Sequence, residues 1–374
     1  MLPRVVQLPP ELAGCPYGFV FLSSILHEFV GELFSGMTVL GCYQFRVTRN
    51  SDLFVDEEEI TNLRTKLQGE LPHRHFGDAV RLEVADNCSE EMANFLLQHF
   101  HLTPDDLYRT PGIVNLVRLM QVPDWVERPD LKYPPFVPGL PKTLDKRRQI
   151  FAALRNTDVL LHHPFQSFAP VIDLLRAAAD DPQALAIKMT VYRTGTDSVL
   201  MEHLVRAAQK GKEVTVVLEL MARFDEEANI TWANRLQEVG AHVVYGVFGY
   251  KTHAKISTVV RREGEALKTY CHFGTGNYHP VTAKVYTDLS LFTCDPALGR
   301  DATKVFNYLS GYVQPDGLEN LSISPFGLRD KLVELIGREA ELARQGRRAA
   351  IWAKMNSLTE REVIEALYAA SQAG

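Results

Sequence analysis

Cysteine is scarce and its spacing builds no framework. The five in 374 residues, Cys15, Cys42, Cys88, Cys271 and Cys294, are odd in number and never form Cys-x-x-Cys. That excludes a disulfide miniprotein and a paired-cysteine metal motif, and it fits reduced thiols in a cytoplasmic protein. Long apolar runs are also missing. The best stretch, Phe19 to Phe34, is broken by Ser23, Ser24, His27, Glu28 and Glu32, so it reads as an amphipathic helix and not a membrane span. Positive charge is not in excess: 40 Lys and Arg against 46 Asp and Glu give a net charge of −6. No general nucleic-acid coat is expected, and nucleic acid is not an expected partner. The phosphate loop Gly-x4-Gly-Lys-Ser/Thr and the dinucleotide motif Gly-x-Gly-x-x-Gly are both absent, so any nucleotide chemistry must use another architecture. His73, His75, His99 and His101 have no carboxylate or cysteine partners at ligand spacing, which favours structural or surface roles for them.

What remains is an ordinary globular composition, 46% hydrophobic and 23% charged. At this length it supports two or three domains with a sizeable core. Met1-Leu-Pro-Arg has neither a signal-peptide layout nor a domain-opening run, so the chain is expected to be part of something longer. Residues 1–122 mix strand and helix signals and read as an α+β domain. Phe45-Arg-Val-Thr-Arg and Val80-Arg-Leu-Glu-Val alternate as strands, Asp56-Glu-Glu-Glu opens a charged amphipathic helix, and Ser89 caps a helix carrying Met92, Phe95 and Leu96. Residues 123–141 hold Pro123, Pro129, Pro134, Pro135, Pro138 and Pro141, which bar helix and central strand there and suggest a stiff connection.

From 142 to 315 the hydrophobic period switches repeatedly. Helices are expected over 165–179, 197–210 and 226–239, and strands over 185–192, 214–220, 242–248 and 286–293. A hairpin is expected from Ala254–Val260 to Thr269–Phe273, turning at Glu263-Gly264-Glu265. Alternating β and α elements with Val/Ile/Leu-rich strands define an α/β sheet flanked by helices. A weak repeat points to a further unit starting near residue 316 and running to 374. Ala186-Ile-Lys-Met and Trp352-Ala-Lys-Met each precede a helix, and Lys188 and Lys354 are 166 residues apart.

The chemistry concentrates in Tyr250-Lys-Thr-His253-Ala-Lys255. Strand alternation would put His253 and Lys255 on one face, an imidazole nucleophile beside an ammonium that holds phosphate oxygens. At strand-pair distance follows His272-Phe-Gly-Thr-Gly-Asn277, whose small residues let backbone approach an anion. His-x-Lys with a following Gly-x-Gly-Asn suits phospholipase-D-like phosphoryl transfer; the ordinary alternative is a basic strand edge and a hairpin turn. Arg193 and Arg223 follow neighbouring strands, where open α/β sheets bind ligands, and their guanidinium forks suit polyanions. Their ordinary alternative is ion pairing with Asp225, Glu226 and Glu227, acids that also suit a helix start. Tyr286 and Asp288 open the last strand: a ring for a nucleobase and a carboxylate to orient a base or a histidine, or else a half-buried tyrosine. His162 and His163 lie before Pro164, near the expected site.

These stretches together resemble polyphosphate kinase of the histidine-phosphorylating kind, related to phospholipase D. The residues that carry the resemblance are Phe45-Arg-Val-Thr-Arg-Asn-Ser-Asp-Leu, Asp158-Val-Leu-Leu-His-His-Pro-Phe, Ala222-Arg-Phe-Asp-Glu-Glu-Ala-Asn-Ile, Lys251-Thr-His-Ala-Lys, Gly274-Thr-Gly-Asn and Tyr286-Thr-Asp. The resemblance implies a phospholipase D-like mixed sheet flanked by helices, preceded by the family's α+β middle domain. It implies reversible transfer of the terminal phosphate of ATP to inorganic polyphosphate, with release of ADP and a phosphohistidine on His253. The residues matching the family's magnesium-associated arginines are Arg193 and Arg223. Arginine has no free lone pair, so both read as phosphate clamps near Mg²⁺ and not as its ligands. The nucleotide-contacting tyrosine falls on Tyr286, with Asp288 beside it, and Lys255 and Asn277 take their roles from the phospholipase-D pattern. Members of the family begin with a helical domain and end with a second phospholipase D-like domain bearing another histidine; this chain is expected to start after the first and to hold only the start of the second, over residues 316–374. A homo-oligomer or a complementing C-terminal half is therefore expected, and 1–374 alone is expected to polymerise poorly. A cytoplasmic location, peripheral to the membrane at most, follows. The rival readings are a phospholipase D-like phosphodiesterase or nuclease, and an inactive polyphosphate-binding fragment.

Overall fold

Val/Ile/Leu-rich runs separated by helical periods fold as the sequence leads one to expect. The computed structural model describes residues 3–50, 77–144, 150–222, 225–247 and 249–374. The charged segment opening at Asp56, and His73 and His75, lie outside them. The chain divides into two compact units, Met1–Phe136 and Val137–Gly374.

In the first unit, strands β1 (Val5–Leu8) and β2 (Gly18–Phe21) form an antiparallel pair. Strands β3 (Phe45–Arg49), β4 (Ala79–Ala85) and β5 (Leu107–Thr110) form a second sheet, antiparallel across β3–β4 and parallel across β4–β5. The crossover between the parallel strands is helix α1 (Glu90–His99), capped as expected by Ser89, whose Oγ accepts from the Met92 amide at 3.2 Å. Leu82, Val84, Ala93, Leu96 and Leu97 make its small core, while Met92 and Phe95 face outward. The proline-rich stretch does contain a short helix, Val122–Trp125. Pro123 sits in its first turn, where the missing N–H costs nothing.

The second unit is built on a seven-stranded mixed sheet, in the spatial order β6-β12-β11-β10-β7-β8-β9. The strands are β6 (Val159–His163), β7 (Ala184–Val191), β8 (Glu213–Leu218), β9 (His242–Val244), β10 (Lys255–Glu263), β11 (Ala266–Gly274) and β12 (Asp288–Thr293). Strands β7, β8 and β9 are parallel and joined through helices α3 (Val199–Gln209) and α4 (Glu226–Glu238), with α2 (Ala169–Asp180) packed beside α3. Both crossovers advance in one direction, so right-handed connection puts α3 and α4 on one face. Helix α5 (Pro296–Gly311) packs on β10 and β11, with Val305 and Phe306 against Val217, Ile256 and Cys271. The expected hairpin is β10–β11. It is longer than alternation alone indicated, with Glu263 opposite Ala266 and Gly264 at φ +63°, a conformation that suits glycine.

Strand β10 runs antiparallel to β7, with Ser257 opposite Met189, and β12 runs antiparallel to β11, with Ser290 opposite Gly274. This topology places the carboxyl ends of β6, β7, β8 and β11 and the starts of β10 and β12 at one end of the sheet. Trp352–Met355, the strand position of the repeat, is irregular, and only the helix after it forms (α7, Arg361–Ala373). No described strand lies alongside to complete a ladder for it; instead Lys354 Nζ donates to the Thr287 carbonyl at 2.6 Å. Helix α6 (Leu328–Arg344) packs on α7.

The segment leading into α6 is tied to α5 by one buried carboxylate. Asp301 is fully buried and accepts from the amides of Glu319 (2.9 Å), Asn320 (2.7 Å) and Leu321 (2.9 Å). Burial alone would raise its pKa, and the amides outweigh it, so the carboxyl sits below its ordinary 3.8. A depressed carboxyl pKa contributes stability above 3.8 that disappears as pH falls through the folded-state value. Asp301→Asn should therefore lower the urea-unfolding free energy by about 2–3 kcal/mol at neutral pH. The gap should shrink as pH drops below 3.8, and equal stability at neutral pH would contradict it.

Candidate active site

The end of the sheet where six strand termini meet gathers most of the expected residues. Arg193 follows β7, Lys255 starts β10, Gly274 ends β11 with Thr275–Asn277 after it, and Tyr286 leads into β12, which Asp288 starts. Arg223 lies outside the described residues.

His253 is not on a strand. Strand β10 begins two residues later, so the shared-face argument does not hold; His253 sits in the loop ahead of it, exposed, while Lys255 is 5% exposed. They are linked differently. Lys255 Nζ donates to the His253 carbonyl at 2.5 Å. The Tyr192 ring meets the His253 imidazole edge-on, centroids 4.8 Å apart, and carries Lys255 Nζ 5.2 Å and the Arg193 guanidinium carbon 5.7 Å from its centroid. Tyr192 is thus the hub of the cluster, and the sequence reading did not single it out. Its phenol is pushed up by burial and stays neutral.

Electrostatics favour a neutral imidazole among cations. Although the residue as a whole is exposed, partial desolvation of its ring, then the charges of Lys255 and Arg193, lower the His253 pKa from 6.5. Burial also lowers Lys255, to about 8, against the opposing pull of Asp288 and with some help from Arg193. Arg193 realises part of its ordinary alternative: its Nε lies 3.3 Å from Asp225 Oδ2. Asp225 stands at the N-cap of α4 but makes no capping hydrogen bond through its side chain, since the carboxylate turns to the guanidinium instead.

Asn277 offers a polar atom inward: its Oδ1 is buried and has no hydrogen-bond partner among the described residues. Asp288 does not reach His253; it accepts from Thr275 Oγ1 at 2.8 Å, and its carboxylate fills the space that a Cβ on Gly276 would need. This close approach explains the glycine in the turn. Tyr286 is 59% exposed, just before β12, which starts at Asp288 and not at 286. His163 is buried beside the site and paired structurally, with Nδ1 2.8 Å from the Gln166 carbonyl and Nε2 2.9 Å from Ser290 Oγ. His272 is buried as well; Nδ1 lies 2.8 Å from the Tyr278 hydroxyl, and burial drops its pKa to about 3. Neither histidine is placed for attack on a ligand. Among the described residues no three His, Cys, Asp or Glu side chains form a metal cluster.

A histidine beside Lys255 and Arg193 at one end of a mixed sheet marks the candidate site of an α/β protein. Comparison narrows this. Models of the polyphosphate kinase middle domain, C-terminal domain 1 and C-terminal domain 2 match residues 1–122, 149–315 and 321–374. The chain is 56% identical over 374 residues to a polyphosphate kinase of Neisseria meningitidis serogroup C (strain 053442), covering 100% of this chain and 55% of that protein. It is 55% identical over 377 residues to a polyphosphate kinase of Burkholderia multivorans (strain ATCC 17616 / 249), again covering 100% of this chain and 55% of that protein. The crystal structure of polyphosphate kinase from Porphyromonas gingivalis matches with a TM-score of 0.81 at 28% identity, covering 100% of this chain and 54% of that one. The chain belongs to the polyphosphate kinase family, and it spans about half the length of the relatives it matches.

The pKa pattern sets a pH profile. If His253 is the group that takes up phosphate, it must be neutral to do so, and its lowered pKa puts the acid limb below 6.5. If Lys255 holds that phosphate, it must be charged, which puts the alkaline limb near 8 in the free protein. On those two conditions the second-order rate of any phosphate uptake from ATP should be bell-shaped in pH. Lys255→Arg should move the alkaline limb above the measurable range. An unchanged alkaline limb in that variant would take Lys255 out of the profile.

Proposed function

We propose that the chain carries the phosphohistidine half of an ATP:polyphosphate phosphotransferase. The observation that carries this reading is the exposed His253 imidazole, held neutral beside Lys255 and Arg193. Family membership supports transferase chemistry, and it favours that over the phosphodiesterase alternative.

In the first step Nε2 of His253 attacks the γ-phosphorus of ATP. An N–P bond forms as the bond to the β-phosphate oxygen breaks, and ADP leaves with the electron pair. Lys255, Arg193 and Arg223 balance charge on the equatorial oxygens. In the second step a terminal oxygen of polyphosphate attacks the phosphorus, the N–P bond breaks and the imidazole is restored. Every step is reversible. Tyr286 offers an exposed ring for the nucleobase, with Asp288 and Asn277 at the phosphate side.

Magnesium enters as the ATP complex. The site has no protein cage for it among the described residues, and Mg²⁺ commonly keeps phosphate and water oxygens as ligands. Arg193 and Arg223 then grip the phosphates beside the ion. A second copy or a complementing C-terminal half completes the assembly in this reading, and nucleic acid has no part in it. All five cysteines are free, which supports a cytoplasmic setting, peripheral to the membrane at most. Among the described residues no helix is long and apolar enough to cross a membrane.

Incubation with γ-labelled Mg-ATP should leave acid-labile, base-stable label on the wild-type chain and none on His253→Ala. Equal label in the variant would refute the role of His253. Salt-dependent polyphosphate binding with no label in either protein would establish the binding-only alternative.

A further inference from the structure

Three loops meet at the site: residues 192–193 after β7, 219–222 after β8 and 252–254 before β10. Two buried polar side chains join them. Asn229 on α4 is 0% exposed, and its Nδ2 donates to both the Tyr192 and Glu219 carbonyls at 2.9 Å. Glu219 is buried at the end of β8. Its amide donates to the Val191 carbonyl at 2.9 Å, its Oε1 accepts from the Met221 amide at 3.0 Å, and its Oε2 accepts from the Thr252 amide at 2.8 Å. The carboxylate therefore grips the residue just ahead of His253, and the Asn229 amide grips the peptide between Tyr192 and Arg193.

Burying a carboxylate and an amide is costly, and an apolar pair packs such a site at least as well. What an apolar pair cannot supply is a fixed relation between three loops of different strands. In-line attack demands that relation, because a displacement of about 1 Å costs on the order of 100-fold in rate. We propose that Glu219 and Asn229 are positioning residues for phosphoryl transfer. They hold the His253 imidazole against Tyr192 with Arg193 alongside, and neither touches the reacting atoms. This rests on the phosphohistidine reading above.

The test compares the full chain with Glu219→Gln, Asn229→Asp and, as a destabilised reference remote from the site, Asp301→Asn. Glu219→Gln keeps the shape but presents an N–H where an oxygen accepts, and Asn229→Asp removes both donated bonds. For both, label uptake from γ-labelled ATP should slow about 100-fold. Half-saturating ATP should stay within about threefold, a loss made in the transition state and not in binding. The proton NMR signals of the His253 ring should shift as it leaves the Tyr192 edge. Asp301→Asn should lose stability yet label at the wild-type rate. Wild-type labelling rates in both site variants, or losses matching only the fraction unfolded, would overturn the inference. If Glu219→Gln does not fold, Asn229→Asp decides by the same criteria, and if neither folds the two groups are mere supports and the inference falls. If the wild-type chain takes no label, the phosphohistidine reading fails by itself. The His253 ring signals then decide the positioning role: displaced signals uphold it and unchanged signals overturn it.

Discussion

The antiparallel docking of β10 against β7 is the constraint on which the site depends. With Ser257 opposite Met189, the start of β10 falls beside the carboxyl end of β7, and so His253 comes next to Tyr192 and Arg193. A one-residue slip would turn Lys255 to the opposite face of the sheet and carry its ammonium away from the Tyr192 ring. The register is protected because Ile256 and Cys271, on one face, are buried against α5, while Ser257 and its partner His272 are buried on the other. Core packing and the geometry of the candidate site are thus one choice of register.

The chemistry follows from how charge is arranged at that edge. Lys255 is held in a largely buried place where burial works against its charge, offset in part by the charge of Asp288 and by the His253 carbonyl that its Nζ donates to. Such a site is a poor contributor to stability and a good place for a polyanion, whose phosphates would complete the charge balance. The imidazole gains in the same way. Desolvation, then the neighbouring cations, hold its proton affinity down, which favours the neutral ring at neutral pH.

Much of this was legible from the residues because it is local. Alternation and Glu263-Gly264-Glu265 marked the β10–β11 hairpin, and strand ends put Arg193 at the right edge. The class of sheet, the family and the proximity of His253 to Lys255 all came from patterns within a few residues. What escaped depends on partners far along the chain. Tyr192 meets a histidine 61 positions later, Asn229 bonds a carbonyl 37 positions earlier, and Glu219 grips an amide 33 positions away. One signal was present: Glu219 is an acid inside the otherwise apolar run Val-Val-Leu-Glu-Leu, and a charge kept there asks for a reason. Asp225 misled for a related cause. Its position suits a helix cap, but the side chain turns to Arg193, which is adjacent only in the folded protein.

The central claim is a covalent intermediate formed before polyphosphate is engaged. It is tested most directly by isotope exchange between labelled ADP and ATP in polyphosphate-free solution. If His253 takes the γ-phosphoryl group and returns it, label passes from ADP into ATP with no acceptor present, and His253→Ala abolishes the exchange. Label uptake by the protein without ADP–ATP exchange, or exchange that persists in His253→Ala, would contradict the account.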